Sequence, residues 1–386
     1  MADAPLRLSL DVSAVPFRAV GAGQYTLRLA GALDSRSDVD LTLFGRRDDV
    51  RRWTALAPGA RLDSDAPGPR PLRLAWEQLR LPGLLARSGV SVHHGPHYTM
   101  PERTTVPTVV TVHDLSFFEA PQWHQRSKVL VFRRAISRAA RRAAAVVCPS
   151  RVTADELARW CRVDTQVFVA PHGVDTGLFR PEEPYPGSDR ERLAATDRRL
   201  ADGRPYLLFV GTLEPRKDVP TLVGAFARIA DRHPDALLVL AGGNGWGAAA
   251  VERAIGASGV AARIVRTGYV ADDVVPALLR SSTAAVYPAL YEGFGLPALE
   301  ALACGVPLVT TTGTAMEEVA GDAATLVDPG DRDGLAQAIE AVLAGRQDDG
   351  AGVMRRQGRG LEIAAAHTWT QSAERHMEAY RHAAGR

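Results

Sequence analysis

Short apolar runs alternate along this chain with longer amphipathic stretches, a pattern that predicts parallel strands joined by helices. In the first half, 6–10, 41–44, 90–93, 108–112, 145–148 and 167–170 read as strands. Between them, 25–33 and 128–144 carry apolar residues at helical spacing. The pattern stops at Pro171-His172-Gly173-Val174-Asp175 and a stretch rich in Pro, Asp and Gly over 180–189. A second series then supplies strands at 206–210, 236–240, 263–267, 284–287, 308–310 and 325–327, each followed by a helical pattern. The expected division is an N-terminal unit over 1–180, a linker over 181–204, a second unit over 205–365 and a C-terminal helix over 366–386. Two successive open α/β sheets imply two Rossmann-like domains facing a cleft. Ligands belong at the carboxyl ends of such strands.

Composition narrows the function classes. At 386 residues the chain exceeds a usual single core. Its 46% hydrophobic and 23% charged content suits a soluble globular enzyme. A net charge of +2, from 46 basic and 44 acidic residues, gives no support to nucleic acid as the main partner. Cys148, Cys161 and Cys304 lack metal-ligand spacing, which suits free thiols in a reducing compartment. The opening residues MADAPLRLSLDVSAV do not read as a secretory leader. No run approaches the roughly 18–20 apolar residues that span a bilayer. The expected location is cytoplasmic, with peripheral contact at the inner membrane face left open.

The segment YEGFGLPALE, residues 291–300, concentrates the candidate chemistry. A strand at 284–287 enters it and a helix over 296–304 leaves it, with Pro297 in the first turn and Gly305 as terminator. This reading puts Glu300 in the first helical turn, near the positive end of the dipole, where a diphosphate is also favoured. Gly293 and Gly295 permit close approach of a ligand to the backbone. Glu292 and Glu300 suit sugar hydroxyls, so the arrangement points to a nucleotide-sugar. A Gly-rich turn with a first-turn Glu is also common without function, and the case needs further residues.

Several are present. Arg216 and Lys217 close the loop GTLEPRKD just before a helix, offering a fork and a point charge to phosphate. The turns around Gly243 and Tyr269 are permissive places for a base or ribose. Neither carries the three-glycine dinucleotide fingerprint, so hydride transfer is the weaker reading. In the first half, Gly21 and Gly23 could bring backbone N–H groups to a diphosphate or sugar. His113 follows the strand 108–112 and is expected at the cleft rim. His93, His94 and His97 have no metal-selecting spacing and read as acceptor-side candidates.

The combination of GTLEPRKD, AGG, TGYV, YPALYEGFGLPALEALACGVPLVTT, PHGVD and VHDLSF resembles the retaining glycosyltransferases of family 4, in the family's order and over nearly the whole chain. Its nearest subgroup is the bacterial mannosyltransferase-like enzymes. The resemblance implies the two-domain GT-B fold, with acceptor binding in the N-terminal domain and donor binding in the C-terminal one. It also implies a C-terminal helix that crosses back to the first domain. On this reading Glu300 holds the ribose. Glu292 and the backbone of Gly293, Phe294 and Gly295 hold the donor sugar, with Leu296 beside them. Lys217 and Arg216 meet the diphosphate, Gly21 and Gly23 line the phosphate site, and His113 flanks the reacting carbon. No cofactor and no metal are implied. Relatives commonly carry arginine where this chain has Thr212, and Arg216 is the candidate to compensate. Ala22 and Gln24 also depart from the usual Gly-rich loop.

The implied reaction transfers a hexose, with mannose from GDP-mannose favoured, to a glycan or lipid-linked acceptor in polysaccharide or glycolipid synthesis. A UDP-sugar-dependent glucosyl- or N-acetylglucosaminyltransferase is the alternative. A sugar-nucleotide epimerase or phosphorylase and a non-catalytic nucleotide-sugar-binding protein complete the set. The helix over 128–144 sets Val129, Phe132, Ile136, Ala139 and Ala143 on one face and Arg134, Arg138, Arg141 and Arg142 on the other. It reads as an ordinary surface helix or as a docking site for anionic lipid.

Overall fold

The apolar runs of the first half form seven strands in a computed structural model that describes residues 4–345 and 351–385. They are β1 (Leu6–Asp11), β2 (Val39–Arg46), β3 (Arg61–Ala66), β4 (Val92–Gly95), β5 (Thr108–Thr111), β6 (Ala145–Cys148) and β7 (Gln166–Val169). Their order is β3-β2-β1-β4-β5-β6-β7, and every pairing is parallel. The strand direction of build-up reverses between β1 and β4, which makes their carboxyl ends the crevice of this sheet. β3 was not anticipated. Its sequence RLDSDA lacks an apolar run, and it becomes a strand only by pairing with β2 at the sheet edge, where charged residues discourage further pairing.

The second sheet contains β8 (Tyr206–Val210), β9 (Leu237–Ala241), β10 (Ile264–Gly268), β11 (Ala284–Tyr287), β12 (Leu308–Thr311) and β13 (Ala324–Val327). Its order is β10-β9-β8-β11-β12-β13, again all parallel, with the reversal between β8 and β11. Near-continuous apolar strands such as LLVLA are buried on both faces by helices, as parallel sheets require. The chain thus contains two Rossmann-like parallel sheets, the α/β architecture expected.

The compact units are Met1–Gly173 with Trp369–Arg386, and Val174–Thr368. The stretch 181–204, expected as a linker, belongs to the second unit. It carries a helix, Ser188–Thr196, whose Leu193 joins the core together with Leu200. Asp189 forms a bidentate pair with Arg280 at 2.6 and 2.7 Å. The Pro- and Gly-rich opening of this stretch hid the anchoring residues that follow it.

The C-terminal helix, Trp369–Ala383, packs into the first unit, burying Ala373, Met377, Ala379 and Tyr380 among the residues of β1, β2 and β4–β6. Full burial of Met377 alone is worth about 1.5–3 kcal/mol. Polar bonds fix the helix rotation. His376 Nδ1 bonds the Ser372 carbonyl at 2.7 Å, so its Nε2 accepts from the Tyr25 hydroxyl at 2.8 Å. Tyr25 continues to Thr111 Oγ1 at 2.8 Å, Thr111 to His94 Nε2 at 2.8 Å, and His94 Nδ1 to the Tyr380 hydroxyl at 2.8 Å. Every donor in this chain is satisfied only while both imidazoles are neutral.

Candidate functional site

In the second unit, the loops after β8, β9 and β10 are stitched together by their backbones. Gly211 N–H bonds Ala241 O at 2.8 Å, Gly242 N–H bonds Gly268 O at 2.8 Å, and Leu213 N–H bonds Gly243 O at 3.1 Å. Arg216 and Lys217 lie in a short 3-10 turn, Pro215–Lys217, directly before the helix Val219–Ile229. Gly211 has φ +152°, and a Cβ there would stand 2.7 Å from Lys217 Nζ. The absence of a side chain at Gly211 is therefore what lets the ammonium lie across the end of β8, 6.0 Å above the Phe209 ring.

From the adjacent strand, β11 delivers Glu292. Its carboxylate receives Arg216 Nη1 at 2.6 Å and Lys217 Nζ at 3.5 Å. Arg216 Nε is held in turn by Glu214 at 2.8 Å, and its Nη1 also reaches the Tyr291 carbonyl at 3.3 Å. Burial pushes the Glu292 carboxyl up, but the charges of Arg216 and Lys217 outweigh it and leave the group below its ordinary range. A carboxylate and two cations thus converge at the β8/β11 reversal point, where an open α/β sheet binds its ligand.

Gly293, Phe294 and Gly295 form the turn into the helix Leu296–Ala303. Gly295 has φ +96°, and a Cβ there would meet Met316 Cγ at 2.6 Å, so only glycine fits. The Phe294 side chain enters the core. The helix starts at Leu296 as expected, capped by Gly295, but Glu300 is then its fifth residue and lies beyond the first turn in which the expectation placed it. The dipole argument for Glu300 therefore weakens, since that effect fades beyond the first turn. Gly305, with φ +67°, ends the helix as expected. Gly243 is half-buried at the end of β9, Thr212 flanks the Gly245 turn, and Tyr269 is exposed after β10.

In the first unit, Gly21 caps the helix Ala22–Asp34 with φ +50°, and Gly23 is buried in its first turn. His113 is not on a rim. It is 8% exposed, with its Nε2 2.7 Å from the Pro96 carbonyl. Nε2 therefore carries the proton, and burial holds the imidazole below its ordinary pKa. Its ring meets Tyr25 edge-on at 4.9 Å and Tyr98 at 5.5 Å. His93 and His94 are completely buried strand residues of β4, so the acceptor role expected of them does not hold. His97 is half-buried, and burial pushes its pKa down to about 3. The apolar face of the helix Arg126–Arg142 is also occupied, because Ile136, Ala139 and Ala140 lie in the core. Arg138 is paired with Glu102 at 2.9 Å.

Sequence reasoning missed Glu214 and Phe209. Glu214 has a signal, standing two residues before Arg216 in LEPRK. Phe209 reads only as a strand residue until the ammonium is found above it.

Two family profiles match the chain. Residues 20–178 match Glycosyltransferase Family 4, and residues 193–359 match Glycosyl transferases group 1. The chain is 31% identical to O-antigen chain mannosyltransferase B of Escherichia coli over 294 residues, covering 75% of this chain and 74% of that protein. It is 35% identical to the MMP alpha-(1->4)-mannosyltransferase of Mycolicibacterium hassiacum, over 57% of this chain and 49% of that protein. Among solved structures, sucrose-phosphate synthase of Thermosynechococcus elongatus aligns over 97% of this chain and 98% of its own, with TM-score 0.77 and 22% identity. That likeness speaks for the fold.

Proposed function

The chain belongs to glycosyltransferase family 4, and on that footing we propose that it transfers mannose from GDP-mannose with retention of configuration. The acceptor in this reading is a glycan or lipid-linked saccharide of a cell-surface polysaccharide or glycolipid. The observation that carries the site assignment is Glu292 held jointly by Arg216 and Lys217 at the β8/β11 reversal. The mannosyltransferase names of the relatives support the choice of sugar.

The chemistry follows from the charges. A departing diphosphate develops negative charge, and Lys217 and Arg216 meet it electrostatically. Arg216 supplies the guanidinium that Thr212 does not, with Glu214 fixing its Nε edge. Once phosphate takes over the cations, the Glu292 oxygens are released to accept hydroxyls of the sugar. Glu300 receives the ribose. The acceptor hydroxyl attacks from the face the diphosphate leaves, so Glu292 need not form a covalent bond. The neutral imidazole of His113 suits a hydrogen bond to the sugar better than proton transfer. This scheme uses no metal and no cofactor.

A thermal-shift panel with GDP, GDP-mannose, UDP-glucose and ADP-glucose tests the donor. A ligand that binds the folded state stabilises it by an amount that grows with the logarithm of its concentration over Kd, so at equal concentration GDP and GDP-mannose should give the largest shifts. A shift with UDP-glucose alone would favour the UDP-sugar reading, and no shift with any of the four would sink the site.

The three cysteines are free and buried, which supports a reducing, cytoplasmic setting. Among the described residues no helix is long and apolar enough to cross a membrane. Peripheral contact, as part of the same reading, falls to exposed Leu130 and Val131, with Arg126 and Arg134 on the same helix. Sedimentation with anionic vesicles at low salt should retain more of the wild type than of Leu130→Ser. Equal retention would reject that contact.

A further inference from the structure

Among the described residues, only Tyr98 and Asp218 have a left-handed backbone without being glycine. Aspartate tolerates that conformation through its short polar side chain, and Asp218 caps a helix. For a bulky residue such as Tyr98, with φ +67°, it is a strained outlier of the kind that gathers at functional sites. The strain sits in the turn after β4. A Cβ on Gly95 would stand 2.2 Å from the Thr99 carbonyl oxygen, so the chain doubles back tightly between these residues. Tyr98 is held there by backbone and side chain together. Its N–H donates to the Thr111 carbonyl at 3.0 Å, and its hydroxyl donates to Asp114 Oδ2 at 3.0 Å. Its ring meets His113 edge-on at 5.5 Å and packs against Phe117 and Phe132 at 5.9 and 5.3 Å. These ties bracket His113 along the chain, at Thr111 and Asp114. The same turn carries the Pro96 carbonyl, which takes the Nε2 proton of His113 at 2.7 Å.

We propose that Tyr98 is a positioning residue for the transfer reaction, holding the turn so that Pro96 fixes His113 with its proton on Nε2 and its lone pair on Nδ1. The bond at one ring nitrogen sets the role of the other. With Nε2 committed to a carbonyl, the ring can offer a ligand only Nδ1, which accepts and does not donate. His113 in this form takes a hydrogen bond from a sugar hydroxyl. The ligand half of this inference rests on the placement of His113 beside the donor sugar, whereas the tautomer half stands on the turn alone. Tyr98 itself acts through Pro96 and His113. The tautomer therefore separates this role from one of packing.

The test compares the wild type, Tyr98→Ala, Tyr98→Gly and His113→Asn, each as the full chain with isotope-labelled histidine. Comparison with His113→Asn identifies the His113 signals, and their nitrogen shifts report the tautomer in the ligand-free protein. Initial rates of GDP release from GDP-mannose give kcat and KM. The wild type should show the Nε2–H form alone. Alanine keeps the steric cost of a left-handed backbone but loses the hydroxyl bond and the ring contacts. In Tyr98→Ala the turn should relax, both tautomers appear, and kcat fall about tenfold with KM nearly unchanged. Glycine takes the conformation freely, so Tyr98→Gly should return to the Nε2–H form and recover most of kcat. A packing role gives the reverse order, because glycine removes more of the side chain than alanine does. The Nε2–H form kept alone in Tyr98→Ala, or a Tyr98→Gly no better than Tyr98→Ala, overturns the proposal. If Tyr98→Ala does not fold, mixed tautomers in Tyr98→Gly overturn it and a single Nε2–H form supports it. Unchanged turnover in His113→Asn removes the reading of His113, and with it this inference, whatever the tautomer. Failure of the wild type to release GDP removes the donor reading and the inference together.

Discussion

Lys217→Ala is expected to lower turnover roughly a hundredfold, about 2.7 kcal/mol of barrier, with the folded protein otherwise intact. The ammonium is the point charge nearest the Glu292 carboxylate after Arg216, and it sits on backbone and on Phe209, where its loss leaves no packing defect of consequence. Glu292→Ala should reduce turnover by at least tenfold through a different cause. It strips Arg216 and Lys217 of a shared partner and removes the group proposed above to accept sugar hydroxyls. Initial rates of GDP release from GDP-mannose, measured beside thermal melts, separate lost chemistry from lost structure. Near-normal turnover in either purified variant would contradict the site assignment.

Stability should peak near pH 6.5 and fall steeply on the acid side. His93 and His97 are pushed down to about 3 and His376 to about 4, in each case chiefly by burial. His94, His113 and His172 are also lowered by burial. A histidine held below its unfolded value stays neutral in the fold while the unfolded chain takes up a proton. The stability is thus complete above about pH 6.5 and drains away as pH falls towards the folded value. Each group contributes a slope of about 1.4 kcal/mol per pH unit. Glu77 works the other way. Burial, with the charge of Asp11 adding to it, raises its carboxyl to about 8, so the folded chain holds one proton more than the unfolded chain between its ordinary value and pH 8. That single group favours the fold as pH falls, as does Asp11, raised chiefly by burial. Six histidines outweigh them below pH 6.5, whereas Glu77 alone governs the gentle decline towards pH 8. Arg73 near His97 and Asp114 near His113 are the charges that face this cluster, and they act in opposite senses. Urea titrations of the protein from pH 8 to 5 measure the profile. A flat profile from pH 7 to 5 would show that the histidines are not held neutral.

These two expectations differ in how much of each was legible beforehand. Arg216, Lys217 and Glu292 stand in short motifs at strand ends, and strand ends follow from apolar runs of four or five residues such as 206–210 and 284–287. The strands declare themselves because a parallel sheet buries both faces, which demands continuous apolar sequence. Where that demand lapses the reading fails. The polar edge strand β3 and the helix Ser188–Thr196 both form through contacts with partners far along the chain.

The histidines show the same limit from another side. In HHGPH the side chains of His93 and His94 look available for chemistry, but strand β4 places both inside the sheet, beside Ser9 and Tyr380. Nothing local states that Tyr380, nearly three hundred residues away, returns to bond His94. The donor motifs, the alternation of strands and helices and the membership of family 4 were determined by the sequence itself, because each depends on residues adjacent or regularly spaced along the chain. The joint hold of Arg216 and Lys217 on Glu292 and the neutral histidine cluster were decided only by tertiary structure. Burial and charge pairing depend on which distant side chains share a few ångströms of space, and that sets both pKa and hydrogen-bond supply.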